Sequence, residues 1–219
     1  MVQRIKAFIF DLDGTLLDSM GAWETNGSDY LSSQGISSFP ENFREILKPM
    51  TLSEAAAYFI SDFGLAKTPE QIVREMNAQI EKKYREEFQP KPGVRDFLER
   101  HQGRKMCIAT ATDRPLVELV LERLALRKYF DFIVTSAEVG NSKRHPDIFW
   151  EAIRRLQVKL EETVLFEDAL HAIRTAKSIG LYTVGVQEAC FEKDRAEIIR
   201  LADGYVQDLN EFTGFLSSA

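Results

Sequence analysis

The segment Phe8-Ile9-Phe10-Asp11-Leu12-Asp13-Gly14-Thr15 sets the terms for this chain: a short apolar run stops at two aspartates that straddle one leucine, then yields to a glycine turn. Four later segments share the apolar part of that form, at residues 105–110, 131–136, 163–166 and 182–186. Each is short, rich in β-branched residues, and continuous rather than alternating between apolar and polar. That pattern suits strands covered on both faces, as in a parallel sheet. Stretches with helical spacing lie between them: Leu116, Val117, Val120, Leu121 and Leu124 in one, Ile148, Phe149, Ala152, Ile153 and Leu156 in another. Strand and helix in alternation predict an α/β fold, a doubly wound, Rossmann-like parallel sheet flanked by helices.

Residues 19–89 break this rhythm. They hold no comparable apolar run and instead carry helical patterns at 23–31, 43–47, 52–63 and 72–88, with breaks at Pro40, Pro49, Gly64 and Pro69. The charge-rich stretch 81–87 reads as a solvated helix face. Gln89-Pro90-Lys91-Pro92-Gly93 reads as a hinge back to the sheet. The simplest organisation is a core of residues 1–17 and 90–219 with a small all-α cap domain, 18–89, inserted after the first strand. Trp23, Tyr30 and Met50 in that insertion suit either a substrate cleft or the packing of amphipathic helices.

A chain of 219 residues suffices for one sizeable core, or a core and a small second domain. No apolar stretch nears the roughly 20 residues that span a bilayer, and with the N-terminus running into the first strand no signal peptide is expected. Two cysteines, Cys107 and Cys190, make neither a zinc spacing nor a disulfide framework, so a reducing cytoplasm is the expected compartment. A net charge of -6 argues against nucleic acid as the main partner. No membrane partner is expected, and a monomer is the default. Of the three histidines, His101 is expected to be exposed, His145 to lie in a loop and His171 on a helix; none makes a metal cluster.

Ligands of open α/β sheets gather beyond the carboxyl ends of the strands. Polar groups stand at those ends here: Asp11 and Asp13, then Thr110 and Thr112, then Glu167 and Asp168, with Lys143 in the loop ahead of Pro146. Two carboxylates at i and i+2 would share one side if the first strand continued, and four carboxylates in one empty site would repel one another. A Mg2+ ion resolves that repulsion, since it takes oxygen ligands from one or two carboxylates, waters and a phosphate. The lysine and threonine then suit phosphate oxygens. Thr112 is an alternative helix N-cap, ahead of Arg114-Pro115.

These residues resemble the haloacid dehalogenase-like phosphohydrolases, in the branch with a helical cap after the first motif. The resemblance spans essentially the whole chain through four motifs in order: Asp11-Leu12-Asp13-Gly14-Thr15, Ile108-Ala109-Thr110, Ser142-Lys143-Arg144-His145-Pro146-Asp147, and Phe166-Glu167-Asp168. It implies Asp11 as nucleophile and Asp13 as general acid and base. It implies Thr110, Ala111 and Lys143 as phosphate-binding residues, and Asp11, Asp13, Glu167 and Asp168 as the metal set. Two positions depart from the family pattern. Arg144 stands where proline commonly follows the lysine, and Ala169 and Ala172 stand where a serine and a glycine commonly follow the acidic pair. The expected function is a Mg2+-dependent phosphatase acting on a small phosphorylated metabolite, a sugar phosphate among the candidates.

Other readings of the same fold remain. Mutases of the β-phosphoglucomutase kind carry a histidine shortly after the first motif, where this chain has Met20-Gly21-Ala22-Trp23. A phosphonatase needs a cap lysine, for which Lys48 is available. A binding or regulatory module with no catalysis should have lost an essential charged group, and Asp11, Asp13, Lys143 and Asp168 are all kept.

Overall fold

The computed structural model describes residues 5–47, 50 and 52–213; Lys48 and Pro49 lie outside them. Two compact units emerge, one built from residues up to Asp18 and from Phe88 onward, the other from Ser19–Glu87.

In the first unit, strand β1 (Ala7–Phe10) is followed, after the excursion into the second unit, by helix α5 (Val94–Arg100), β2 (Lys105–Thr110), α6 (Arg114–Arg123), β3 (Phe132–Thr135), α7 (Ser136–Val139), α8 (Asp147–Leu156), β4 (Thr163–Glu167), α9 (Leu170–Ser178), β5 (Tyr182–Val186), α10 (Arg195–Leu201) and β6 (Gly204–Val206). The second unit holds α1 (Met20–Ser33), α2 (Phe43–Leu47), α3 (Leu52–Phe63) and α4 (Pro69–Glu86).

All strand pairs are parallel, in the order β3-β2-β1-β4-β5-β6. Helices cover both faces, which is why the strands read as unbroken apolar runs. On one face Phe8 and Phe10 of β1 and Phe166 of β4 pack with Phe97 of α5 and with Phe212. On the other, Ala7 and Ile9 join Ile148, Phe149 and Ala152 of α8 and Ala172 and Ala176 of α9. Ala172 is thus a core residue, fully buried against the sheet. No helix of the described residues is long and apolar enough to cross a membrane.

His101 differs from expectation. It is 5% exposed, edge-on to Phe8 with ring centroids 5.1 Å apart, and its Nδ1 lies 2.8 Å from the Phe97 carbonyl oxygen. Val94, Phe97 and Leu98 form the buried stripe of α5, and His101 continues it at the next helical step. Burial holds the imidazole pKa below its ordinary value. Strand β6 is also absent from the sequence pattern. Three residues that include a glycine make no recognisable run, and the strand exists through its pairing with β5.

The two chain crossings at the edge of the first unit form a short antiparallel ribbon. Leu17 bridges to Pro90, Asp18 N–H donates to the Gln89 carbonyl at 3.0 Å, and Lys91 N–H donates to the Leu16 carbonyl at 2.9 Å. Gly93 then starts α5 with φ of +77°. A Cβ there would stand 1.7 Å from Asp208 Oδ1, and that carboxylate caps its own turn through Asn210 N–H at 2.7 Å. Gly93→Ala is therefore expected to lose about 2 kcal/mol, or ~4–8 °C in Tm, by backbone strain and displacement of Asp208. An unchanged melting curve would remove this glycine's structural role.

In the second unit, Tyr30 and Leu31 of α1, Phe43, Ala55, Ala56 and Phe59, and Ile72 and Met76 of α4 make one apolar core. Tyr30 is fully buried there and Met50 packs against it, while Trp23 Nε1 donates to Tyr84 Oη at 3.4 Å. Packing within the unit thus accounts for Tyr30 and Met50. Helix α4 begins three residues earlier than its apolar periodicity suggests. Thr68 and Gln71 cap each other reciprocally, and Pro69 occupies the first turn, where its missing N–H costs nothing.

Candidate active site

Strand order reverses at β1: β2 and β3 build outward on one side, β4 to β6 on the other. The crevice beyond the carboxyl ends of β1 and β4 is the switch point at which such sheets bind ligands. Asp11 follows β1 directly, its N–H donating to the Phe166 carbonyl at 3.0 Å. Glu167 ends β4 and Asp168 follows it. All three carboxylates are buried.

Lys143 enters this crevice from the loop between α7 and α8. It is 4% exposed, and its ammonium is ion-paired with Asp11 Oδ1 and with Glu167 Oε2, the latter at 2.8 Å. Gly140, at φ +76°, ends α7, and a turn from Ser142 to His145 carries the lysine inward. Arg144 points to solvent. Glu167 Oε1 accepts from the N–H groups of Asp168 and Ala169 at 3.2 and 3.0 Å, so a carboxylate serves the start of α9 where the Ala169 side chain offers no cap. Asp168 Oδ1 accepts from Thr15 Oγ1 at 3.0 Å. A threonine of the first motif thus orients Asp168.

Asp13 stands apart. Strand β1 ends at Phe10, so the geometry that would place two aspartates side by side does not arise. Gly14, at φ +87°, turns the chain there. Asp13 is half-buried and accepts at Oδ2 from Thr112 Oγ1 at 2.5 Å. Thr112 is thus no helix cap; Asp113 holds that position without a side-chain cap bond. Thr110, buried at the end of β2, accepts at Oγ1 from Thr112 N–H at 3.1 Å, and Ala111 between them is exposed.

Burial pushes the Asp11 pKa up to about 7; Lys143 pulls it down, while Glu167 and Asp13 push it up. Burial also raises Asp168 well above the carboxylate range, reinforced by the charges of Glu167 and Asp11. For Lys143 burial works downward, but Asp11 and Glu167 outweigh it and hold the ammonium above the ordinary lysine range. Ionised together, three buried carboxylates against one ammonium would leave an excess of negative charge, which the raised pKa values of Asp11 and Asp168 reflect. Asp11, Glu167 and Asp168 each offer an oxygen within 4.8 Å of the others. An all-oxygen, net-negative, buried donor set fits Mg2+, and among the described residues it is the one such group of three. The Asp13 carboxylate is not part of it.

Three sets of contacts lie beyond the sequence reading, two of them made by threonines already placed at the site. Thr15 orients Asp168, and Thr112 reaches Asp13. Lys91, half-buried at the ribbon, donates to the carbonyls of Gly14 and Gln187 at 2.7 and 2.5 Å and pairs with Glu188 at 2.9 Å. It ties the first-motif turn to the end of β5. A lysine between two prolines carries no local signal of such long-range partners.

The family model described as haloacid dehalogenase-like hydrolase matches residues 8–186. A phosphorylated carbohydrates phosphatase of Thermotoga maritima is 28% identical over 179 residues, covering 81% of this chain and 82% of its own. A fructose-1-phosphate phosphatase of Escherichia coli is 28% identical over 192 residues, covering 85% and 99%. The crystal structure of CbbY from Rhodobacter sphaeroides in complex with phosphate superposes with a TM-score of 0.76 at 27% identity, covering 96% of this chain and 97% of that one.

Proposed function

The chain belongs to the haloacid dehalogenase-like hydrolase family, and from that premise we propose that it is a Mg2+-dependent phosphatase of a small sugar phosphate, working through an aspartyl-phosphate. The observation that carries this reading is the buried ammonium of Lys143 paired to Asp11 beside Glu167 and Asp168. A carboxylate attacks a phosphate dianion only where positive charge offsets both anions, and a lysine in water-poor surroundings supplies it strongly.

In the proposed sequence Lys143 and the Thr110 hydroxyl bind the phosphoryl oxygens. An Asp11 oxygen attacks phosphorus, the bond to the leaving oxygen breaks, and Asp13 gives its proton to that oxygen. Asp13, now a carboxylate, takes a proton from water, whose oxygen attacks the aspartyl-phosphate and releases phosphate with Asp11 restored. Mg2+ held by Asp11 and Asp168, with Glu167 alongside, would supply Lewis-acid neutralisation of charge at the transferring group. Relatives named for phosphorylated carbohydrates and fructose 1-phosphate support the substrate class. The helical unit, Ser19–Glu87, is assigned the role of cap and of substrate choice.

Phosphate release from p-nitrophenyl phosphate and a panel of sugar phosphates tests this. EDTA is expected to lower turnover at least about a hundredfold and Mg2+ to restore it, with one class of sugar phosphate leading in kcat/KM. Turnover indifferent to EDTA would discard the metal, and isomerised sugar phosphate without free phosphate would replace the phosphatase by a mutase.

A further inference from the structure

Thr112 is half-buried just beyond β2, and its hydroxyl leaves its own loop to donate to Asp13 Oδ2 at 2.5 Å. Its backbone N–H donates to Thr110 Oγ1 at 3.1 Å. One residue therefore touches both the carboxyl assigned to acid–base work and the hydroxyl assigned to the phosphate. The start of α6 does not require it, since Asp113 is the residue at the N-cap.

We propose that Thr112 is a positioning residue for the general acid, selecting which oxygen of Asp13 carries the proton. The inference rests on the acid–base reading of Asp13. A carboxyl group that accepts at Oδ2 carries its proton on Oδ1. The Thr112 hydroxyl thus presents Oδ1 as the donor, and the turn through Thr110 fixes where that hydroxyl stands relative to the phosphate. In the step concerned, the Asp11–phosphorus bond forms and the bond from phosphorus to the leaving oxygen breaks. The electron pair goes to that oxygen, which takes the Oδ1 proton and leaves Asp13 as a carboxylate. The hydrogen bond from Thr112 becomes charge-assisted as the proton departs, so it strengthens towards the transition state.

A general acid matters more for a poor leaving group than for a good one. Phenyl phosphate and p-nitrophenyl phosphate differ little in shape, but phenol is the poorer leaving group. The value of kcat/KM includes only steps through departure of the alcohol, whereas hydrolysis of the aspartyl-phosphate is common to both esters. Thr112→Val is expected to lose about tenfold more kcat/KM on phenyl than on p-nitrophenyl phosphate, and Thr112→Ser to restore the ratio. Asp13→Asn should skew the ratio the same way and further. Equal losses on the two esters in Thr112→Val, with the skew present in Asp13→Asn, would overturn the role of Thr112 and leave the acid in place. No skew in Asp13→Asn would instead remove the acid assignment itself. A smaller folded fraction scales both rates alike, so the ratio remains readable if the valine variant is less stable.

Discussion

Asp11→Asn is expected to abolish turnover, by about 10^4-fold or more, while the protein stays folded. An amide oxygen cannot take the place of a carboxylate nucleophile, and loss of a covalent nucleophile is among the costliest single changes an enzyme can suffer. The fold should tolerate the change for a separate reason. Asparagine keeps an oxygen that can accept from Lys143, and Glu167 still pairs with the ammonium at 2.8 Å. The substitution also removes one negative charge from a group whose members push each other's pKa upward. Melting in EDTA should therefore be unchanged or higher than in the wild type. Acid quenching during turnover should show a phosphoryl adduct on the wild type and none on the variant. An Asp11→Asn protein with undiminished Mg2+-dependent turnover would end the nucleophile assignment.

How far the sequence can be read depends on which interactions are local. Strands β2 and β5 and helices α3 and α8 stand at the bounds their residue patterns suggest, because an unbroken apolar run or an i, i+3, i+4 stripe is written into consecutive residues. Asp11, Lys143, Glu167 and Asp168 meet because parallel strands deliver their carboxyl ends to one edge, a property of topology that follows once the strands are recognised. The missed features depend on turns. Asp13 leaves the acidic group because Gly14 bends the chain, and its partner Thr112 lies on another loop. Lys91 finds its three acceptors only after the ribbon and the end of β5 are assembled. His101 was legible, being one helical step beyond Phe97 on the buried stripe, but a polar residue at the end of a short helix reads by habit as exposed.

Lys143→Met should damage both function and fold, unlike the change at Asp11. Methionine fills a comparable volume without charge, so the substitution isolates the ammonium. Removing one partner of a buried ion pair typically costs about 3–5 kcal/mol, because the remaining charge stays desolvated; here Asp11, Glu167 and Asp168 are all left behind. Asp11 also loses its largest downward influence, so its pKa in the metal-free protein rises beyond about 7. A carboxyl whose folded pKa is raised contributes stability that is complete below its unfolded pKa and is lost as pH rises through the folded value. The EDTA-treated variant should therefore be most destabilised relative to wild type near pH 8, and should recover as the pH falls towards 5 and the buried carboxyls protonate. Activity should fall by at least about 10^2–10^3-fold, since the phosphoryl oxygens lose a buried cation. Urea unfolding of the metal-free proteins at the two pH values, with turnover at saturating Mg2+, measures both effects. A variant as stable as wild type at pH 8, with turnover reduced only a few-fold, would show that Lys143 is not the cation on which the carboxylates depend.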